Sequence, residues 1–483
     1  MVSDPFAFAP ATQLARMIRA REISPVELMR ATIARAEALD PVLNAICTPT
    51  YETAMAQARE AEAAVMRGDP LGPLHGLPLT IKDLAMTRGV RTMGGSAIHA
   101  GRVPAVDHVH VERLRAAGGI SIGKTTVPEL GWKGNGDSPV TGITHNPWKA
   151  GMNAGGSSAG AAVCAAAGIG ALHQGSDGAG SVRMPAAFCG VYGLKPSFGR
   201  IPYWPMPNNG LISHVGPITR NVADAALMLQ AMAGPDDRDG WSLEAAPEDF
   251  VRGLSAGIAG LRVGYSPDLG YLCVDEEVAV PVREAARVFE DLGCHVEEMR
   301  PGWADPAPMV HCLFAVGFAG MIGHLLDEWQ DRMDPGLVAL TRHGLGYSGA
   351  DYVRAQGERL AFHDRMTALF QRYDLVLTPA LSVAAFDATR LIPAHWDQHP
   401  WDWLRWAGFS YPFNLTGFPA ATCPCGLTPG GLPVGLQIAA GRFRDLRVLQ
   451  ASRAFEQVRP WAHLIPPLAA GVAPDGSPEN LLR

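Results

Sequence analysis

Between Asn153 and Lys195 the chain reads NAGGSSAGAAVCAAAGIGALHQGSDGAGSVRMPAAFCGVYGLK, two serine-bearing glycine turns joined by a run of small residues. Gly155-Gly156-Ser157-Ser158 opens an Ala-rich segment with side chains so short that neighbours must pack directly on its backbone, which predicts a tightly buried helix. Gly175-Ser176-Asp177-Gly178-Ala179-Gly180-Ser181 then forms a second turn almost free of side chains. Such a turn bares consecutive backbone N–H groups beside a hydroxyl. Acyl transfer needs that pairing, an attacking oxygen next to donors aimed at a developing oxyanion. Upstream, the apolar strand-like run Leu79-Thr80-Ile81 ends on Lys82-Asp83. Taken alone, Lys82 reads as a strand-end lysine reaching solvent.

Together the three pieces resemble the Ser-cisSer-Lys arrangement of the amidase signature family. The spacing of Ser157 and Ser181 is similar to that family's, as are Gly76-Leu-Pro-Leu-Thr-Ile-Lys82-Asp83 and the flank Ser181-Val-Arg-Met-Pro-Ala-Ala-Phe-Cys-Gly-Val-Tyr-Gly-Leu-Lys-Pro196. Phe413-Asn-Leu-Thr-Gly-Phe-Pro-Ala-Ala421 and Gly431-Leu-Pro-Val-Gly-Leu-Gln437 extend the likeness over most of the chain. The resemblance implies an α/β fold: a single large α/β/α domain over residues 1–483, its mixed central sheet flanked by helices. Within it, N-terminal helices occupy about 11–67, the signature core about 72–200, and a C-terminal sheet and pocket region about 255–460. It also implies an amidohydrolase that uses no metal or cofactor and takes a small-molecule amide, with esters and carbamates as related substrates.

Carried over residue by residue, the resemblance makes Ser181 the nucleophile. Ser157, joined to Gly156 by a cis bond, relays the proton to Lys82. The N–H groups of Gly178, Ala179, Gly180 and Ser181 form the oxyanion hole. Lys82 acts as base only when neutral, so burial must lower its pKa. Asp177 and Arg183 brace the turn by charge-assisted hydrogen bonds, the alternative being a plain surface ion pair. Ala154, Ala159 and Ala179 depart from the commoner pattern, and Ala179 requires a φ that a non-glycine residue tolerates. His173-Gln174 is more polar than expected before this turn.

Other short motifs point elsewhere. Gly118–Thr125 satisfies the P-loop pattern, but Ile120 and Ile122 alternate inside it and it follows a helical segment, so it reads as a strand. Ser121-Ile-Gly-Lys124 matches S-x-x-K without its companion elements. Gly156-Ser-Ser158-Ala-Gly160 matches the nucleophile elbow with Ser158 as nucleophile, yet the preceding Trp148–Ala154 is no strand. His108, His110 and Glu112 suggest a metal site, but positions i and i+2 of a helix do not share a face, so a solvated helix end is expected and no metal is assigned.

Along the chain, residues 11–67 predict three helices. One is capped by Ser24-Pro25-Val26-Glu27 and stops at Asp40-Pro41; another covers Thr53–Arg67. Leu261–Ser266, a helix from Glu276 to Leu292 and Cys294–Glu298 predict a β-α-β unit. Residues 307–372 look mainly helical, and Tyr373–Thr378 reads as a buried strand. Residues 391–412 crowd Trp396, Trp401, Trp403, Trp406 and Tyr411 among prolines and histidines. With Trp132, Tyr203 and Trp204, the residues Trp403 and Trp406 are read as the substrate-binding wall, against the alternative that they are core. Aryl or bulky apolar amides then follow as substrates. Arg405 is the lone cation on offer to a substrate carboxylate.

A net charge of −7 without a basic stripe argues against nucleic acid as partner. The N-terminus shows no signal-peptide pattern, and the small-apolar run around Gly160–Ala171 is too short to span a bilayer. Eight scattered cysteines without C-x-x-C fit a reducing, cytoplasmic setting, and a homodimer is compatible with all of this. The competing functions are the amidase-like subunit of a glutamine-dependent tRNA amidotransferase and a non-catalytic binding protein that kept the fold. Gly131–Ser138 and Asn208–His214 do not look like the transferase's versions, and the intact triad argues against a scaffold.

Overall fold

The computed structural model describes residues 6–207 and 210–470; Met1–Pro5 and the Asn208-Asn209 pair of the Asn208–His214 segment lie outside them. Among the described residues, eleven strands form one mixed sheet. In chain order they are β1 (Ile46–Pro49), β2 (Pro78–Lys82), β3 (Ile120–Thr125), β4 (Leu172–Asp177), β5 (Tyr192–Lys195) and β6 (His214–Thr219). They continue with β7 (Arg262–Tyr265), β8 (His295–Glu298), β9 (Leu375–Pro379), β10 (Ala420–Leu427) and β11 (Pro433–Ala440). Their order across the sheet is β1-β3-β2-β4-β6-β5-β10-β11-β9-β7-β8. β3, β2 and β4 run parallel, as do β9, β7 and β8, while the strands between the two groups pair antiparallel. β2 and β4 are buried along their whole length, as expected of parallel strands covered on both faces.

The expected strand at Gly118–Thr125 is β3, and the β-α-β unit is β7, the helix Glu276–Asp291 and β8. The three N-terminal helices are Ala11–Arg19, Pro25–Leu43 and Tyr51–Arg67, the second carrying the full Ser24/Glu27 capping box. That second helix does not stop at Asp40. Pro41 lies in its last turn, where the ring forfeits a single intrahelical bond. The Asp40 carboxylate then takes the N–H groups of Ala45 (2.6 Å) and Ile46 (3.0 Å), and Asn44 turns the chain at φ 52°.

The Ala-rich run is the helix Ala159–Ala167, with all nine residues buried. Its close packing is literal: a Cβ on Gly160 would lie 2.1 Å from the carbonyl oxygen of Ala45. The predicted helical region beyond 307 comprises Ala307–Ile322, Pro335–Leu345 and Gly349–Arg372 with short turns between. A longer apolar stretch lies elsewhere than the short run at Gly160–Ala171: among the described residues, Ala307–Arg332 is long and apolar enough to cross a membrane by length and composition. In the fold it is broken after Ile322 into 3-10 and short α turns, and Leu313, Phe314, Phe318 and Ile322 pack into an apolar core with Trp132, Trp403 and Trp406.

Candidate active site

Lys82 closes β2 with no exposed surface, which rules out the solvated strand end. Its backbone N–H donates to Gln174 Oε1 at 3.1 Å, and Gln174 Nε2 donates to the carbonyl of Gly175 at 2.8 Å. His173 Nδ1 lies 3.0 Å from Thr80 Oγ1 on the same strand pair. The unexplained His173-Gln174 pair thus ties β4 to the strand that delivers the lysine. Lys82 Nζ sits 2.8 Å from Ser157 Oγ and donates to the carbonyl of Ser176 at 3.1 Å. Burial penalises its ammonium form and lowers its pKa to about 7, the Asp177 charge opposing this in part.

Ser157 follows Gly156 across a cis peptide bond and enters the helix Ala159–Ala167. Ser158 is fully buried; its hydroxyl donates to Ser176 O (3.2 Å) and accepts from Ser176 N–H (3.3 Å). Ser157, Ser176, Gly178 and Ser181 line one cavity of about 340 Å³, and Ser158 does not reach it. The elbow reading therefore loses its nucleophile to a structural hydrogen bond.

The glycine turn is fixed from beneath by Asp177. Its carboxylate accepts from Gly180 N–H at 2.6 Å and Val182 N–H at 3.2 Å. Arg183 grips it through Nε and Nη2, both at 3.0 Å, and the two side chains are completely buried. Arg183 also donates to Ser410 O, Gln437 Oε1 and Asn414 Oδ1, while Asn414 Nδ2 returns to Asp177. Burial alone would raise the Asp177 pKa, but the guanidinium overrides it and holds the carboxyl well below the usual range. A surface ion pair is thereby excluded. One expected donor changes role: the Gly180 N–H is committed to Asp177. The N–H groups of Gly178, Ala179 and Ser181 have no partner among the described residues. Ala179 keeps a negative φ, so its methyl is tolerated, whereas Gly180 has φ +122°. A Cβ on Gly180 would lie 2.5 Å from Ser410 Cβ.

The aromatic wall needs correction. Of the five residues assigned to substrate, only Tyr203 reaches the cavity. Trp132, Trp403 and Trp406 are 1%, 2% and 0% exposed. Trp403 Nε1 donates to Trp132 O at 2.8 Å, Trp406 Nε1 to Leu391 O at 3.1 Å, and Trp406 stacks on Phe188. Trp204 carries Arg238 over its ring at 5.0 Å, away from the cavity. Arg405 is bound to Asp402. The apolar wall is instead built from Leu84, Met86, Leu130, Phe314 and Met321, with Arg102, His99 and His108 on its polar side. His108 and His110 are not on a solvated helix end. The chain at Trp204 folds over them, Val109 N–H donating to Trp204 O at 3.0 Å, and both rings pack edge-on against Tyr203. None of these wall residues carries a signal in sequence: Leu84 and Met86 follow Lys82, Leu130 stands alone, and Phe314 and Met321 share the helix Ala307–Ile322, so three distant segments each supply one or two ordinary apolar side chains.

A buried lysine 2.8 Å from one serine, and a second serine in a turn whose N–H groups have no partner among the described residues, together have the makeup that serine hydrolysis needs on an α/β sheet. Comparison with known proteins agrees. The family described as Amidase matches residues 27–449. An acylamidase of Rhodococcus erythropolis is 41% identical over 94% of this chain and 96% of its own. A glutamyl-tRNA(Gln) amidotransferase subunit of Geobacter metallireducens is 33% identical over 92% of this chain and 96% of its own. A crystal structure of a bacterial aryl acylamidase of the amidase signature enzymes superposes with a TM-score of 0.90 at 31% identity, covering 97% of this chain and 100% of that one. The chain belongs to the amidase family and is an amidohydrolase with the amidase signature fold.

Proposed function

We propose that the chain works as a free-standing amidase through an acyl-enzyme on Ser181, with aryl or bulky apolar amides as substrates. Ser181 Oγ attacks the amide carbonyl carbon while its proton passes to Ser157 and the Ser157 proton to Lys82. The carbonyl oxygen becomes an oxyanion held by the N–H groups of Gly178, Ala179 and Ser181, each such donor contributing about 3 kcal/mol. Collapse breaks the C–N bond as the relay returns the proton to the leaving nitrogen. Water then repeats the sequence, releasing the carboxylic acid and restoring Ser181. Asp177 and Arg183 hold the turn and touch no substrate.

The observation that carries this reading is the contact of Lys82 Nζ with Ser157 Oγ at 2.8 Å, fully buried, beside a cavity onto which both serines open. The apolar wall of Leu84, Met86, Leu130, Phe314 and Met321 supports the substrate class, as does the likeness to an acylamidase and an aryl acylamidase. Net charge of −7 without a basic stripe in the sequence supports a small-molecule substrate and no nucleic-acid partner, and scattered cysteines without C-x-x-C support a cytoplasmic setting. The transferase reading rests on the relatives of that name. Assaying the purified chain alone against an anilide and against glutamine separates the two. Hydrolysis of the anilide with the higher kcat/KM is expected, lost in Ser181→Ala; equal or better use of glutamine would overturn the substrate reading.

A further inference from the structure

The reaction cavity holds an arginine that the mechanism does not use. Arg102 lines it, and no carboxylate does among the described residues. The side chain is pinned at one atom: Nε donates to Thr92 O at 2.9 Å, and Thr92 N–H donates back to the Arg102 carbonyl at 2.9 Å. A third bond runs from Arg102 N–H to His99 O at 2.9 Å. The two terminal guanidinium nitrogens have neither an ion-pair nor a hydrogen-bond partner among the described residues. Nη2 stands 3.9 Å from where a Cβ of Gly94 would lie, and Gly94 is itself part of the cavity wall.

The neighbouring charges leave that fork unanswered. Asp83, the carboxylate whose field reaches Arg102, is fully buried and accepts from Met93 N–H at 3.1 Å and Gly94 N–H at 2.7 Å. Lys124 is turned away onto Ala85 O, Thr87 Oγ1 and Thr92 Oγ1. His99 and His108, on the same side of the cavity, are driven toward their neutral forms by burial and by the surrounding cations. Arg405, the lone cation suggested by the sequence, is occupied by Asp402. A half-buried guanidinium fixed through Nε presents its outer edge to a planar oxyanion, the geometry that arginine matches and lysine does not.

We propose that Arg102 is an anion-recognition residue of this site, selecting amides whose aryl or apolar body carries a carboxylate. This rests on the acyl-enzyme reading above and deepens it. Two matched pairs of anilides test it, each setting a carboxylate against its methyl-ketone isostere. N-acetyl-4-aminobenzoate against 4-acetylacetanilide places the charge on the amine side. N-phenylsuccinamate against N-phenyl-4-oxopentanamide places it on the acyl side. Arylamine release is measured for both pairs.

In at least one pair the carboxylate is expected to win in kcat/KM by about tenfold, the scale of a charge-assisted hydrogen bond partly screened by solvent. Arg102→Met should collapse that ratio towards one, and Arg102→Lys should restore part of it, which a purely structural role would not do. Turnover of the ketones with no carboxylate preference in either pair, or a ratio unmoved by Arg102→Met, overturns the Arg102 assignment alone. Failure of the wild-type chain to hydrolyse any of the four anilides overturns the aryl-amidase reading and this inference with it.

Discussion

With Lys82 buried and its pKa lowered to about 7, kcat/KM should climb with pH and level off early. Lys82 must be neutral to take the proton, so about a tenth of the enzyme is competent at pH 6, half at pH 7 and nine-tenths at pH 8. The profile therefore rises roughly tenfold between pH 6 and pH 8 and is flat above. A lysine left at its usual pKa near 10.4 would instead still gain about tenfold per unit at pH 9. Initial rates of arylamine release across pH 5.5–9.5, at substrate concentrations far below KM, read this directly for the free enzyme. Lys82→Arg keeps the positive charge but cannot deprotonate, and should lose about 10²–10⁴ in rate. A midpoint above pH 9, or an arginine variant retaining more than about a tenth of the rate, would refute the general-base role.

The same shift has a thermodynamic sign. The folded pKa lies below the unfolded one, so between about pH 7 and pH 10.4 the unfolded chain holds the extra proton and stability rises with pH. Below pH 7 the whole cost of burying the lysine is present. Lys82→Met should accordingly raise Tm at pH 6 more than at pH 9.

A serine-directed phosphonate should label Ser181 in mass spectrometry and leave Ser158 untouched, since the Ser158 hydroxyl is bonded to Ser176 and buried; Ser181→Ala should abolish both labelling and turnover. Trp406→Ala should cost about 3–5 kcal/mol in chemical denaturation without reordering anilide substrates, whereas Phe314→Ala, in the cavity wall, should reorder them. Ala179→Gly should be mild and Gly180→Ala severe in kcat, because Gly180 combines φ +122° with a 2.5 Å clash on Ser410 Cβ; equal effects would show that the turn relaxes freely.

The amidohydrolase class was legible in the sequence because the residues that point to it lie in short linear segments. The turn expected at Gly175–Ser181 begins only after Asp177, since Gly175–Asp177 complete the strand β4, and its remaining residues Gly178–Ser181 carry scarcely any side chains; the Ala-rich segment beside it forms the fully buried helix Ala159–Ala167. The substrate wall was not legible, for the converse reason. Leu84 and Met86 just past β2, Leu130, and Phe314 and Met321 on one helix are ordinary apolar residues from three distant segments, and only the fold brings those segments together. Aromatic density misled in the same way. Cores and pockets both bury rings, and what distinguishes them is local: Trp403 and Trp406 give their N–H groups to backbone carbonyls and pack against each other and Phe188. Pro41 misled because a proline forfeits its own N–H bond without ending the helix at once: the helix runs on to Leu43, and Asn44 N–H still donates to Asp40 O at 2.7 Å.

A turn without side chains cannot be held by apolar packing, so its shape must come from hydrogen bonds, and this chain supplies them from one carboxylate. Asp177 takes the N–H groups of Gly180 and Val182 and thereby orients the three that remain, those of Gly178, Ala179 and Ser181. A carboxylate doing this beneath the proposed oxyanion site would oppose the developing negative charge if left bare. Arg183, fully buried and bidentate on Asp177, cancels it, and Asn414, Gln437 and the Ser410 carbonyl satisfy the remaining guanidinium donors. The residues Ser410–Gln437 lie more than two hundred positions from the turn, yet they complete its polar shell. That gives the segments 413–421 and 431–437 a physical role: Asn414 and Gln437 accept the Arg183 donors that Asp177 does not take, so the buried ion pair under the turn is fully hydrogen-bonded.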